Sequence, residues 1–149
     1  MQIRPADSGD VATVERIVEQ AYGVYVGRIG MRPGPMGDDY GQRVKDGLVS
    51  VADDEGVVGL IVLIEEPGAL LIENVAVDPS RQGEGIGRAL LAFAEAEAVR
   101  AGLARLVLYT HEKMSENLAL YARLGYTVDE RRQEQGFARV FLSKRLRTV

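Results

Sequence analysis

The sequence contains no cysteine and a single histidine, His111. The first absence removes disulfides, thiolate metal sites and cysteine nucleophiles. The second prevents a histidine cluster from holding a metal, and no loop carries the carboxylate spacing of a calcium or magnesium site, so no metal is expected. Positive charge is not in excess either: 18 Lys and Arg against 22 Asp and Glu leave a net charge of -4. Nucleic-acid and membrane-surface modules show a basic face, so small molecules or proteins are the expected partners and nucleic acid is disfavoured. The longest apolar run, residues 57–64, falls far short of the roughly 20 residues that cross a bilayer. No apolar run follows the first charges, so a signal peptide is not expected. A soluble protein of the reducing cytoplasm is the corresponding expectation.

What is present fits one domain. With 149 residues, 46% of them apolar, the chain can bury a real core. No segment repeats and no linker composition interrupts it, so residues 1–149 read as a single domain. A short strand at 3–5 precedes Asp7-Ser8-Gly9-Asp10, which is cap chemistry for a helix expected to run to about Tyr22. Residues 23–37 hold most of the early Gly and Pro and read as broken helix or loop. A second helix is expected over 38–45. Strands follow at 48–52, 57–65 and 69–77, joined by short turns and therefore antiparallel. A helix from about Gly85 to Ala101 leads to a strand at 105–110, a short helix at 115–124, and a hairpin of 126–132 with 137–146 across Gln135-Gly136. The order β α α β β β α β α β β predicts an α+β fold, a mixed and mostly antiparallel twisted sheet of about seven strands with about four helices.

The chemistry concentrates after the strand ending at Val77, where Gly83, Gly85 and Gly87 open a helix. Backbone amides at a helix N-terminus attract anions, and missing side chains let a pyrophosphate approach. The P-loop signature is absent, because Gly87 is followed by Arg88-Ala89 rather than Lys and Ser or Thr. The dinucleotide fingerprint fails too, since its third glycine is misplaced. Spacing alone leaves two readings, an anion cradle or a tight strand-to-helix turn.

Gln82-Gly83-Glu84-Gly85-Ile86-Gly87 resembles the acyl-CoA pyrophosphate loop of the GNAT N-acetyltransferases. The lead-in Asn74-Val75-Ala76-Val77-Asp78-Pro79 and the following Arg88-Ala89-Leu90-Leu91 are similar to that family as well. Asn117-Leu118-Ala119-Leu120-Tyr121-Ala122-Arg123-Leu124-Gly125-Tyr126 resembles its second signature, about 30 residues on. The resemblance covers essentially the whole chain and implies an acetyl-CoA-dependent N-acetyltransferase. It implies cofactor contacts from Val75, Ala76, Val77, Gln82, Gly83, Glu84, Gly85, Ile86, Gly87, Arg88, Asn117 and Tyr121, with backbone groups around Val75 and Val77 holding the pantetheine arm like an added strand. It also implies that Tyr121 protonates the leaving thiolate. A phenol holds its proton at neutral pH, yet its pKa near 10 is close enough to that of a thiol for donation. Asn117 and Tyr121, four apart, share a helix face; a core tyrosine is the plain alternative.

Strand alternation puts Glu73 on the face of Val75 and Val77, as a base for the attacking amine or as a structural partner of an arginine. His111 ends a strand, as a second base or as a capped residue. Tyr22, Tyr25, Met36 and Tyr40 form an acceptor-pocket wall or merely pack over the sheet. Asp39, with Asp38, attracts an amine or starts a helix. The stretch Met31-Arg32-Pro33-Gly34-Pro35-Met36-Gly37-Asp38-Asp39-Tyr40 resembles a segment of a subset of bacterial members, which narrows the subfamily and not the substrate.

The leading expectation is acetyl transfer to a primary amine of a small molecule by direct attack. One alternative acceptor is a protein or aminoacyl-tRNA amine, kept open by Arg131-Arg132 and Lys144-Arg145 with Arg147. A non-catalytic acyl-CoA sensor is the other alternative. The resemblance implies a homodimer, for which the apolar last strand could pair or pack across a two-fold axis.

Overall fold

A computed structural model describes residues 1–146. Strand β1 (Gln2–Pro5) leads through a turn at Ser8–Asp10 into helix α1 (Val11–Ile29), followed by a turn at Gly34–Gly37 and helix α2 (Tyr40–Lys45). Strands β2 (Val49–Asp53), β3 (Val57–Glu66) and β4 (Ala69–Val77) precede helix α3 (Ile86–Arg100), strand β5 (Arg105–His111), helix α4 (Ser115–Arg123) and strands β6 (Thr127–Glu134) and β7 (Phe137–Arg145). The expected α+β order of seven strands and four helices is the order found. No helix among the described residues is long and apolar enough to cross a membrane.

The start of α1 follows its cap chemistry. Asp7 accepts from the Gly9 amide at 2.9 Å and Asp10 accepts from the Asp7 amide at 2.9 Å, a reciprocal cap. Arg4 grips Asp10 from β1 at 2.9 Å, which ties strand to helix. Contrary to expectation, the helix does not stop at Tyr22 but runs through Gly23 and Gly27 to Ile29, where Gly30 closes it at φ 87°. Each internal glycine costs about 1 kcal/mol, but Tyr25 and Ile29 pack against the core beyond Gly23 and offset that cost. Helix α2 begins at Tyr40 rather than at residue 38, because the Asp39 side chain caps it by accepting from the Gln42 amide at 3.0 Å.

The sheet order is β1-β2-β3-β4-β5-β7-β6. Its two faces carry two apolar clusters. Val14, Ile17 and Val18 of α1 cover Val51, Leu60 and Val62; Leu90, Leu91 and Ala94 of α3 cover Ile61, Leu106 and Val140 on the other side. Strand β7 inserts between β5 and β6. Both its edges are occupied, so the last strand has no free edge for pairing across a two-fold axis, which leaves the packing alternative. The exposed edge falls to β6, whose Asp, Glu and Arg side chains discourage further pairing.

One feature of the sheet makes the site. Strands β4 and β5 pair in parallel only over Ala69–Leu71 and Arg105–Val107. Beyond Leu71 they separate, and the β5-facing backbone of residues 72–77 has no strand partner.

Candidate active site

The split between β4 and β5 opens into two connected spaces. The outer is a cleft of about 730 Å³ that runs along β4 to the start of α3. The inner is a narrow pocket of about 60 Å³ beneath the turn at Gly34–Gly37. Five residues line both: Tyr22, Val75, Met114, Asn117 and Tyr121. A ligand in one space therefore meets a ligand in the other at these five side chains, Tyr121 among them.

The floor of the cleft is built by the glycine loop. Gly85 is the N-cap of α3 at φ 85°, and Gly83 has φ 83°. L side chains rarely take that left-handed conformation. An added Cβ at either position would meet nothing within 4 Å, so the requirement is conformational and the space in front is open. No side chain caps α3, and the first bonded amide is that of Ala89, to the Gly85 carbonyl. The preceding amides point out with the positive end of the helix dipole. Arg88 in the first helical turn opposes that dipole, an arrangement that an anion between them reconciles. Arg88 and Arg123 both line the cleft and have no carboxylate partner among the described residues. Arg81, also there, is held by Asp54 at 2.6 Å and Glu84 at 2.9 Å.

Of the residues expected at a cofactor, Val75, Ala76, Val77, Gln82, Gly83, Gly85, Ile86, Gly87, Arg88, Asn117 and Tyr121 line the cleft. Glu84 does not line it and pairs with Arg81. Tyr25, expected in the acceptor wall, belongs to this cleft too. Arg123, Leu120 and Met114 were not foreseen. Leu120 and Arg123 follow Glu116 at i+4 and i+7, a face legible once α4 is placed beside the cleft.

In the inner pocket the expected residues separate. Tyr22, Glu73 and His111 line it; Met36, Asp39 and Tyr40 do not. Met36 packs against the α1 cluster, Asp39 is spent on its cap, and Tyr40 lies behind Asn74. Asn74 donates to the Tyr40 oxygen at 2.8 Å and accepts from the Tyr22 hydroxyl. Tyr40 in turn donates to the Pro35 carbonyl. This buried relay joins α1, β4, α2 and the turn above the pocket, so the tyrosines brace the wall as much as form it.

Glu73 departs from simple alternation. The register shifts opposite Val62 and Leu63, which face Asn74 and Ile72, so Glu73 has no partner on β3. That bulge turns it towards α2, where Arg43 holds its carboxylate at 2.7 and 3.2 Å. Val75 and Val77 pack with the α3 cluster instead. Burial and the neighbouring Glu73 raise the pKa of Asp38.

The Lys113 amide donates to His111 Nδ1 at 3.1 Å and the Ala138 amide points at Nε2 at 3.4 Å, so the ring faces two donors. Burial pushes its pKa below the ordinary 6.5, so the ring is neutral. Tyr121 is buried, with its ring 5.5 Å from that of Tyr126. Burial raises its pKa above the ordinary phenol value, so it is a held proton rather than a phenolate. The pocket also contains Tyr109, Phe137 and Arg139, which no local pattern in the sequence connects to it; β7 reaches the pocket only through its pairing with β5.

Known proteins share this fold. Residues 45–128 match the acetyltransferase (GNAT) domain model. The chain is 40% identical over 87 residues to N-alpha-acetyltransferase 80 of Mus musculus, covering 58% of this chain and 25% of that protein. It is 35% identical over 86 residues to the mycothiol acetyltransferase of Jonesia denitrificans, covering 56% and 27%. The matched stretch thus spans about a quarter of the length of these curated relatives. In structure it is similar to the PaiA N-acetyltransferase of Thermoplasma acidophilum solved in complex with coenzyme A, with a TM-score of 0.84 at 16% identity over 97% of this chain and 98% of that one. Both signatures read from the sequence lie inside the matched residues, which make up more than half of the chain, and the chain belongs to the acetyltransferase (GNAT) domain family.

Proposed function

We propose that the chain is an acetyl-CoA-dependent N-acetyltransferase that acts on the primary amine of a small molecule in the cytoplasm. The observation that carries the reading is the junction at Tyr121, where a cleft ending in an uncapped helix N-terminus meets a narrow inner pocket. The amides of α3 with Arg88 and Arg123 would hold the pyrophosphate and phosphate groups of CoA. The unpaired edge of residues 72–77 suits an extended amide-bearing arm, which would add to β4 as a short strand. Bound acetyl-CoA supplies the acetyl thioester.

The amine nitrogen attacks the thioester carbonyl, the C–N bond forms, and the C–S bond breaks. Tyr121 donates its hydroxyl proton to the departing sulfur, and the second proton lost by the acylated nitrogen restores the hydroxyl. Burial raises the pKa of the phenol, and the same dry surroundings raise that of the thiol, so donation stays feasible. Asn117, one turn before Tyr121, would hydrogen-bond the donor. Glu73, fixed by Arg43, draws the ammonium into the pocket and takes its proton directly or through a water.

Charge placement favours a small acceptor over an aminoacyl-tRNA. Arg132 pairs with Glu130 at 3.1 Å and Glu134 at 3.4 Å, and Lys144 pairs with Glu95. Two of the patch cations are thereby neutralised; Arg131 and Arg145 keep no carboxylate partner among the described residues, Arg147 lies outside them, and the net charge of -4 weighs against a polyanion. The test is calorimetric titration with acetyl-CoA, free CoA and ATP, followed by thiol release with a panel of amines. Saturable binding of acetyl-CoA but not ATP, with thiol release, is the expected result. A folded, CoA-free protein that binds no acetyl-CoA overturns the reading; binding without release from any amine leaves the sensor.

A further inference from the structure

The inner pocket carries a cation that the transfer chemistry does not use. Arg139 lies on β7 opposite His111 of β5, and its side chain is 18% exposed. Its guanidinium carbon sits 4.7 Å from the centre of the Tyr109 ring and 5.4 Å from that of Phe137. The two rings orient the planar fork without using any of its donors. Among the described residues no acceptor lies within hydrogen-bond distance. Glu134, the nearest carboxylate, is 3.9 Å away and is shared with Arg132 at 3.4 Å. Above it the turn backbone closes in, since a Cβ added at Gly34 would lie 4.0 Å from Nη2. The donors of this guanidinium are not sealed off from solvent, and a carboxylate entering the pocket can take their place by accepting two parallel bonds.

The pocket's other charges sharpen the point. Glu73 already has Arg43 as its counterion, and His111 is neutral. A bare alkylamine would leave the Arg139 donors without a partner, whereas an amine that also carries a carboxylate fills them. The pocket is narrow, about 60 Å³, and the small planar carboxylate matches the geometry of the guanidinium fork.

We propose that Arg139 anchors the acceptor's carboxylate, so that the amine acetylated by this protein belongs to an amino acid or a similarly small amino-carboxylate. The inference rests on the acetyltransferase reading and adds its substrate class. The experiment compares binding to the CoA-saturated protein, and acetylation with acetyl-CoA as donor, of the twenty amino acids with those of the amines lacking the carboxylate and of sulfonate and phosphonate analogues of equal length. At least one amino acid is expected to bind and be acetylated at least tenfold more efficiently than its carboxylate-free amine and its sulfonate and phosphonate counterparts. Arg139→Gln should raise that amino acid's KM and its calorimetric Kd by about 10- to 100-fold, with Arg139→Lys intermediate and the Kd for acetyl-CoA unchanged in both. Equal use of carboxylate-free amines, or an Arg139→Gln variant with unchanged acceptor Kd, overturns the proposal. So does failure of every amino acid to bind. The acetyl-CoA titration, which does not involve Arg139, separates that failure from failure of the acetyltransferase reading. Should the variants not fold, the comparison of ligands on the wild-type protein decides alone.

Discussion

Tyr121 and His111 show how burial sets what a titratable side chain can do. Tyr121 is packed against Tyr126 and lines both spaces. Removing its hydroxyl deletes the proton donor and almost no contact area. Tyr121→Phe is therefore expected to lower kcat by about 10²- to 10⁴-fold, with the acetyl-CoA Kd changed less than about twofold; thiol release and calorimetry read the two. Normal turnover would remove Tyr121 as the acid. His111 gives a pH signature. Its folded pKa lies below the ordinary 6.5, so the unfolded chain takes up the proton first as pH falls. Its contribution to stability is complete above about pH 6.5 and is lost as pH drops from there through the folded value. In urea titrations the wild type should lose stability below pH 6.5 more steeply than His111→Asn, whose side-chain oxygen can still accept from the Lys113 amide. Parallel curves would show that the ring is not the group responsible. The i, i+4 spacing of Asn117 and Tyr121 was legible in the sequence, because helix geometry fixes it. The direction of Glu73 was not, because a bulge in the β3 pairing inverts strand alternation at that one position.

Helix α3 carries two different glycine requirements. At its start, Gly85 supplies a left-handed N-cap with open space before it. Gly85→Asp strains the cap and puts a negative charge where the pyrophosphate would sit, so acetyl-CoA affinity should fall by at least about 100-fold while the circular dichroism spectrum is retained. Beneath the helix the constraint is contact. A Cβ on Gly59 of β3 would meet the Ala76 carbonyl at 3.1 Å, Ile86 Cγ2 at 3.2 Å and Leu90 Cδ1 at 3.2 Å. Gly59→Ala should cost about 1–3 kcal/mol in urea denaturation, and an unchanged midpoint would mean that α3 can lift from the sheet freely. The glycine cluster announced the first requirement by its position between a strand and a helix. The second left no signal, since Gly59 reads only as a gap in an apolar run. The length of α1 was hidden for a related reason: Gly23 and Gly27 lower local helix preference, and packing of the last two turns overrides it.

The molecule as a whole is a sheet parted between β4 and β5 and held together there at one end. Strands β4 and β5 share only three paired positions on each side, and the gap beyond them is the room in which donor and acceptor would meet. A ligand that lies along β4 and touches α3 and α4 binds the folded chain alone. At 100 times its Kd, acetyl-CoA should add about 2.7 kcal/mol, equivalent to a rise of roughly 5–10 °C in Tm for a domain of this size. ATP at equal concentration should give no such shift, and an equal shift would reduce the cleft to a general phosphate site.

The element order, the two signatures and the glycine loop were settled by local pattern, because turn chemistry, helix periodicity and conformational freedom act over a few residues. The family followed from them, and the match over residues 45–128 agrees. What required the folded chain was every relation between distant segments. The insertion of β7 between β5 and β6 brings Arg139, Tyr109 and Phe137 to one pocket, and the buried contacts of Asn74 with Tyr22 and Tyr40 join three separate elements. Such relations depend on strand order and register, which are fixed by burial of the whole sheet and by no single stretch of sequence.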